Sequence, residues 1–111
     1  MYYYAEAERY EMRFGVFISL MESRIEWILL RWLDRPMKSW DDISEKTLQD
    51  EYRLISSFVE KTVSRSPDSK KTRQRIWRFP FGQVEVSYEP RSFDVAIFLV
   101  PRSGRSTKGW R

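Results

Sequence analysis

The sequence predicts an α+β fold in which a two-helix hairpin packs on a three-stranded antiparallel sheet, in the order ααβββ, followed by a basic C-terminal tail. Three observations support this prediction. Apolar residues recur every three or four positions over residues 5–34 and 40–63, they alternate with polar residues over 83–88, and a proline precedes the basic end of the chain. A chain of 111 residues suits one domain, so we assign 1–101 to a single α+β domain and 102–111 to a flexible tail.

The first predicted helix covers residues 5–34 and carries a heptad repeat, which is typical of a helix that packs along one seam. Apolar residues outside that seam predict that the helix also contacts a second copy of the chain in a homodimer. An alternative is open for residues 2–18, which could form a strand because Gly15 weakens a helix by about 1 kcal/mol relative to Ala. The heptad positions are Phe14, Ile18, Met21, Ile25, Ile28 and Trp32, and the predicted interface consists of Ile18, Ile25, Trp27 and Trp32.

A second helix is predicted over residues 40–63, after a proline ends the first. Ser39 followed by Asp42 resembles a capping box, with aspartate in the place of the usual glutamate. Asp41 and Glu45 would share a helix face and could bind a divalent cation, but we favour the capping interpretation and expect no metal site. The apolar stripe of this helix consists of Leu48, Tyr52, Ile55, Val59 and Thr62.

Residues 64–75 are predicted to form an exposed basic loop, because they combine Ser, Pro and Asp with several cations. Three strands follow in an antiparallel meander, over about 75–79, 83–88 and 93–100. The second of these alternates apolar and polar residues and should be half-buried. The third is apolar on both faces and should be the best buried. We expect Trp77 to pack in the core.

The composition excludes several kinds of chemistry. Histidine and cysteine are absent, which excludes disulfides, zinc sites of the usual kind, cysteine nucleophiles and Ser-His-Asp triads. The four glycines are scattered, so the sequence has no glycine-rich phosphate loop, and we expect neither a cofactor nor an enzyme. The start does not resemble a signal peptide, and four charges interrupt the apolar stretch 14–33. We therefore expect no membrane span and a cytoplasmic protein, or one inside a host cell if it is viral.

Charge is distributed unevenly along the chain, and this asymmetry favours a polyanionic partner. Residues 1–63 hold nine Lys/Arg and twelve Asp/Glu, a net of −3, whereas 64–111 hold eleven and four, a net of +7. Lysine and arginine neutralise phosphates, and an exposed tryptophan can stack on a base. The candidate nucleic-acid-binding residues are Lys70, Lys71, Arg73, Arg75, Arg78, Arg102, Arg105, Lys108, Trp110 and Arg111.

The stretch RIWRFPFGQVEVSYEPRSFDVAIFLVPRSGR, residues 75–105, resembles the C-terminal meander of RelE/ParE-type toxins. The resemblance implies a helical hairpin in front of a basic antiparallel sheet. It also implies RNA cleavage by Arg, Lys and Tyr without an essential His. The pattern departs from that family at the front, where the toxins begin with a strand, and no individual residue can be carried over.

The leading hypothesis is a small, basic, non-enzymatic protein that binds nucleic acid or a ribonucleoprotein, of the kind found among phage and viral accessory proteins. The first alternative is a protein-interaction module that acts as an inhibitor, scaffold or assembly factor through its aromatic helix face. The second alternative is a RelE/ParE-like toxin ribonuclease. Binding of nucleic acid should fall steeply with salt, whereas an interaction module should keep its partner at high salt.

Overall fold

A computed structural model of the chain describes residues 2–35, 44–89, 91 and 94–102. The described residues form seven strands and one helix. In chain order these elements are β1 (Tyr2–Arg9), β2 (Met12–Met21), β3 (Arg24–Trp32), α1 (Glu45–Val63), β4 (Ser69–Lys71), β5 (Gln74–Phe79), β6 (Gly82–Glu89) and β7 (Asp94–Pro101).

All seven strands belong to one antiparallel sheet with the order β1-β2-β3-β7-β6-β5-β4. Strands β1 to β3 form one meander and β4 to β7 form a second. The two meanders join where β3 pairs with β7, through Ile28↔Leu99, Leu29↔Phe98 and Leu30↔Ile97. The predicted ααβββ order is therefore wrong. The described residues form one wide sheet, and in chain order α1 lies between its two meanders.

The predicted helix over residues 5–34 is replaced by strands β1, β2 and β3. Two-residue turns connect these strands, and both residues of each turn have positive φ. The values are 52° and 64° at Tyr10 and Glu11, and 53° and 65° at Glu22 and Ser23. Positive φ at both central residues is the requirement of a type I′ hairpin turn, whose twist matches that of the flanking strands. The strand alternative for residues 2–18 is therefore the one that the structure adopts.

The heptad interpretation failed because β2 and β3 bury apolar residues on both faces of the sheet. Phe14 packs on the face that α1 covers, whereas Trp27 and Leu29 pack on the opposite face. A strand that is apolar on both faces loses the two-residue alternation that identifies it in a sequence. The apolar residues of the two faces, taken together and interrupted by the turn at residues 22 and 23, fall every three or four positions, as they would in a helix.

The second predicted helix exists but begins later than expected, at Glu45 rather than near residue 40. Ser44 is its N-cap. The Ser44 hydroxyl accepts a hydrogen bond from the Thr47 amide at 3.2 Å, and the Thr47 hydroxyl accepts one from the Ser44 amide at 2.8 Å. Together these two bonds form a capping box. The Ser39–Asp42 group that we expected to cap the helix lies outside the described residues.

The strands predicted over 75–79, 83–88 and 93–100 correspond to β5, β6 and β7. The predicted basic loop over 64–75 is partly wrong, because β4 forms within it and pairs with β5. The turn between β4 and β5 consists of Thr72 and Arg73.

The helix packs against one face of the sheet, which we call the helix face. Trp77 lies at the centre of this core with 0% exposure, as expected from the sequence, and its indole nitrogen donates to the Arg65 carbonyl oxygen at 3.0 Å. This bond satisfies the buried N–H, so the ring can be enclosed without an unpaired donor. The other buried members of the core are Phe14, Leu48, Tyr52, Ile55, Val59, Val84, Val86, Tyr88, Val95 and Ile97.

Within the described residues, no helix has both the length and the apolar character needed to cross a membrane.

Gly82 follows the β5–β6 turn and has a φ of 153°, a region that side-chain-bearing residues rarely adopt. A Cβ placed there would lie 2.1 Å from the Val100 carbonyl oxygen, which belongs to the paired strand β7. We therefore expect Gly82→Ala to lower the free energy of unfolding by about 1–3 kcal/mol, measured by urea denaturation.

Gly15→Ala is the matched control for that experiment. A Cβ at Gly15 would meet Tyr4 and Leu33 side-chain atoms at 3.1–3.3 Å, and those side chains can move. Its effect should therefore be smaller. Equal losses from the two variants would show that the Gly82 backbone is not a special constraint.

Candidate functional site

The face of the sheet opposite α1 carries the candidate site, and we call it the open face. Its apolar centre consists of Trp27, Leu29, Ala96 and Phe98, with Phe17 packed against them, so in the described residues this cluster comes from strands alone. Two tyrosines of β1 extend the apolar centre. The centre of the Tyr2 ring lies 6.0 Å from that of Trp27, and the centre of the Tyr4 ring lies 4.9 Å from that of Phe17.

A cleft of about 490 Å³ opens beside this apolar centre, between β3, β7, β6 and the β4–β5 turn. Ala96 and Phe98 of β7 supply its apolar part, and Gln74 and Ser87 supply polar atoms. The charged residues that line it are Arg31, Lys71, Arg73, Glu89 and Asp94.

Two polar contacts fix the cleft residues. The Arg31 guanidinium donates to the Asp94 carboxylate at 2.5 Å, which ties β3 to the start of β7. The Gln74 amide nitrogen donates to Glu85 at 2.5 Å, and Glu85 is only 1% exposed. Both cleft walls are thus held in place by hydrogen bonds that involve a carboxylate, which are stronger than neutral ones.

Lys71 and Arg73 differ from Arg31 in that their side chains make no hydrogen bond or ion pair with any other residue that the structure describes. Both are exposed, and both lie at the cleft, at the end of β4 and in the turn that follows. With respect to the described residues, these two cations beside an apolar floor can meet an anionic ligand without first breaking a contact.

The sequence placed Lys70 and Arg75 in the same basic set, but the structure puts them on the helix face. They pair across β4 and β5, next to the register positions of Lys71 and Gln74, which point the other way. The Arg75 guanidinium lies 5.1 Å from the centre of the Tyr52 ring. Burial raises the pKa of the Tyr52 phenol, and the charge of Arg75 opposes that rise. Arg75 therefore has a structural contact already.

Arg78 and Arg102 lie at the opposite end of the open face from the cleft. The Arg78 amide donates to the Asp68 carboxylate at 2.6 Å, and the pKa of Asp68 is lowered mainly by this bond, with the Arg65 guanidinium adding to the effect. The Arg102 amide donates to the Phe81 carbonyl oxygen at 2.7 Å, so the start of the tail is fixed beside the β5–β6 turn.

An aromatic surface that was not predicted from the sequence lies at the β5–β6 turn. Phe81 is 59% exposed and stacks on Phe79, with the ring centres 5.0 Å apart and the planes within 8°. The Arg65 guanidinium lies 4.3 Å from the centre of the Phe79 ring. The sequence FPFG predicted a turn, and a phenylalanine inside a two-residue turn is the signal that could have indicated an exposed ring.

The four predicted interface residues do not form one surface. Trp27 is 6% exposed in the open-face cluster, whereas Trp32 packs against the helix-face core. Ile18 is half-buried and Ile25, at 42% exposure, follows the β2–β3 turn. The predicted helical seam is therefore wrong, because these residues lie on strands β2 and β3, whereas the homodimer itself stays a prediction.

Several predicted residues lie outside the described part of the chain. They are Arg105, Lys108, Trp110 and Arg111 of the tail, and Asp41, which with Glu45 formed the alternative cation site. Among the described residues, no group of three or more acidic side chains is placed to hold a metal ion.

Comparison of the chain with protein-family models, curated proteins and solved structures finds no match. The helical hairpin implied by the resemblance to RelE/ParE toxins is also absent from the described residues, which contain one helix.

A buried ion pair lies between α1 and the segment that follows β3. The Arg35 guanidinium donates to Glu51 at 2.7 Å, and Glu51 is 4% exposed. Burial raises the pKa of the Glu51 carboxyl above its ordinary 4.5, and Arg35 offsets this only in part. A carboxyl with a raised pKa in the folded state binds its proton more tightly there than in the unfolded chain. Its contribution to stability is thus greatest below the unfolded pKa and is lost as pH rises through the folded pKa.

We therefore expect the free energy of unfolding of the native chain to fall, relative to Glu51→Gln, as pH rises from about 4.5 towards neutrality. Urea denaturation of both proteins across this range measures the difference. Glu60→Gln, on the same helix, controls for the loss of one carboxylate. If the native chain gains stability relative to Glu51→Gln as pH rises, the ion pair outweighs burial and our assignment is wrong.

Proposed function

We propose that this chain binds single-stranded nucleic acid along the open face of its sheet, as a non-enzymatic binding protein. The observation that supports this most is a cleft with an apolar floor beside two cations, Lys71 and Arg73, that have no ion-pair partner among the residues that the structure describes. Sequence-tolerant binders of single strands combine a cationic track for the phosphates with apolar surface for the bases.

The cations on the open face are spaced along β5. Lys71 pairs with Gln74 at one end of that strand, and Arg78 lies four residues further on and on the same face. At about 3.3 Å per residue, the two positions are about 13 Å apart along the strand. Arg102 adds a second cation at the far end. A nucleic-acid backbone that follows β5 would thus meet positive charge at both ends.

The cleft favours a single strand over a duplex. Its volume of about 490 Å³ falls in the range of sites that enclose a small ligand, whereas a base inside a duplex is stacked and paired and cannot enter such a space. The carboxylates of Glu89 and Asp94 line the cleft and disfavour a phosphate inside it. They can accept hydrogen bonds from the amino group of a base. We therefore place the phosphates at the rim and one base inside.

The double variant Lys71→Gln/Arg73→Gln tests this arrangement. Each phosphate contact contributes about 0.7 to the log–log dependence of affinity on salt for single strands. Loss of both cations should reduce that slope by about 1.4, as measured by fluorescence anisotropy of labelled single-stranded RNA and DNA at several salt concentrations.

Lys46→Gln/Arg53→Gln is the matched control, because it removes the same charge from exposed positions of α1, on the other side of the sheet. Its slope should stay close to that of the native chain. Equal reductions in both variants would indicate unspecific attraction by net charge. Absence of binding by the native chain would remove the proposed function and favour the protein-interaction alternative, and shortening of the RNA would favour the ribonuclease alternative.

The C-terminal residues are expected to act as an electrostatic arm. Truncation after Arg102 keeps the bond of its amide to Phe81 and removes three cations, Arg105, Lys108 and Arg111. The salt slope on single strands should then fall by up to about 2, with little change in the free energy of unfolding. Identical slopes before and after truncation would exclude the arm.

Trp110→Ala should weaken binding by about 1–3 kcal/mol if the ring stacks on a base.

A further inference from the structure

The geometry points to the outer edge of β1 as the surface where a second copy of this chain binds, by antiparallel pairing of β1 with β1. This inference does not depend on nucleic-acid binding. It concerns the terminal strand of the sheet, whereas the proposed cleft lies between β3 and the β4–β5 turn.

The two terminal strands of the sheet differ in the features that prevent edge-to-edge association. Proteins protect such edges with short strands, with charged side chains and above all lysine, with proline or with a β-bulge. β4 has two of these features, since it is three residues long and contains Lys70 and Lys71. β1 is eight residues long, contains neither lysine nor proline, carries charges only in its second half, and pairs with β2 without a register shift. All eight of its residues are exposed.

The side chains of β1 are complementary to those of an antiparallel copy. The strand carries tyrosines in its first half and Glu6, Glu8 and Arg9 in its second half. Antiparallel pairing places the first half of each copy opposite the second half of the other. Residues that lie directly opposite each other in a strand pair are on the same face of the sheet. If the two copies are to form one continuous sheet with equivalent faces on the same side, the two sequence numbers of each opposed pair must add up to an even number.

The sum of ten is the register that we infer. It places Tyr2 opposite Glu8, Tyr4 opposite Glu6, and Ala5 opposite its own copy on the two-fold axis. The phenol groups can then donate to carboxylates across the interface, as Tyr4 already does to Glu6 within one strand at 3.3 Å. The sum of twelve would place Glu6 opposite Glu6, and like charges directly opposite each other destabilise a strand pair.

The resulting dimer would have both helices on one side of a continuous sheet and both open faces on the other. Such an interface is isologous, because each copy contributes the same strand. Tyr2 and Tyr4, which shield the open-face cluster within one chain, would lie at the junction.

The chain contains no cysteine, so single cysteines can report the register directly. Ala5→Cys places two thiols opposite each other on the two-fold axis, within the distance that a disulfide spans. Ala7→Cys, two residues along on the same face, would lie opposite Tyr3. We expect mild oxidation to link Ala5→Cys into a covalent dimer and to leave Ala7→Cys largely monomeric. Equal linking of the two variants would overturn the register and with it the proposal.

Sedimentation equilibrium supplies the second measurement. The native chain should be a dimer in equilibrium with monomer. Ala5→Lys should raise the dimer dissociation constant about fivefold or more, because it sets two ammonium groups opposite each other, whereas Ala7→Lys should raise it less. Both positions are exposed, and circular dichroism checks that the fold is kept. A native chain that is monomeric up to its solubility limit, or that forms open-ended oligomers, would overturn the proposal.

Discussion

The pairing of β3 with β7 is the contact on which the rest of the structure depends. Three residue pairs join the two meanders into one sheet. On the helix face this junction brings Phe14 and Leu30 of the first meander under the helix that also covers the second. On the open face it sets Leu29 against Phe98, and the same junction brings Arg31 within reach of Asp94. Without it, neither the core nor the cleft would be complete.

The centre of the sheet is apolar on both faces, and a helix that packs on one face cannot shield the other face from water. α1 covers one face, and the other face shields its centre with side chains of its own strands, including the tyrosines of β1. Aromatic residues make up 16% of the chain, and their large rings contribute to both faces of the sheet. The cleft lies where this shielding ends, at the edge formed by the β4–β5 turn.

Strands β5, β6 and β7 could be predicted from the sequence because their signals were local. Alternation in β6, a turn at FPFG and an apolar β7 each depend on neighbouring residues. The first half could not, because burial on both faces removed the alternation and the I′ turns were occupied by Tyr10, Glu11, Glu22 and Ser23 rather than by asparagine and glycine. A positive φ at such residues is not visible in the sequence.

The candidate site could be predicted only as a cluster of charges. Lys71 and Arg73 stand beside Lys70 and Arg75 in the sequence, and only the register of β4 against β5 shows that Lys70 and Arg75 lie on the other face of the sheet. Arg31 could not be found at all, since it reaches the cleft through the β3–β7 pairing, about sixty residues away from the β7 carboxylate that it binds.

The strand pairings of this sheet differ greatly in the sequence separation of the residues that they join. Five of the six strand pairings join neighbours in sequence, and the pairing of β3 with β7 alone spans about seventy residues. Hairpins close short loops and form quickly, whereas a long loop carries a larger entropic cost that must be met before its contacts form. The largest loop-closure cost in this sheet therefore falls on one event, the pairing of the two meanders, and α1 belongs to the loop that this event closes.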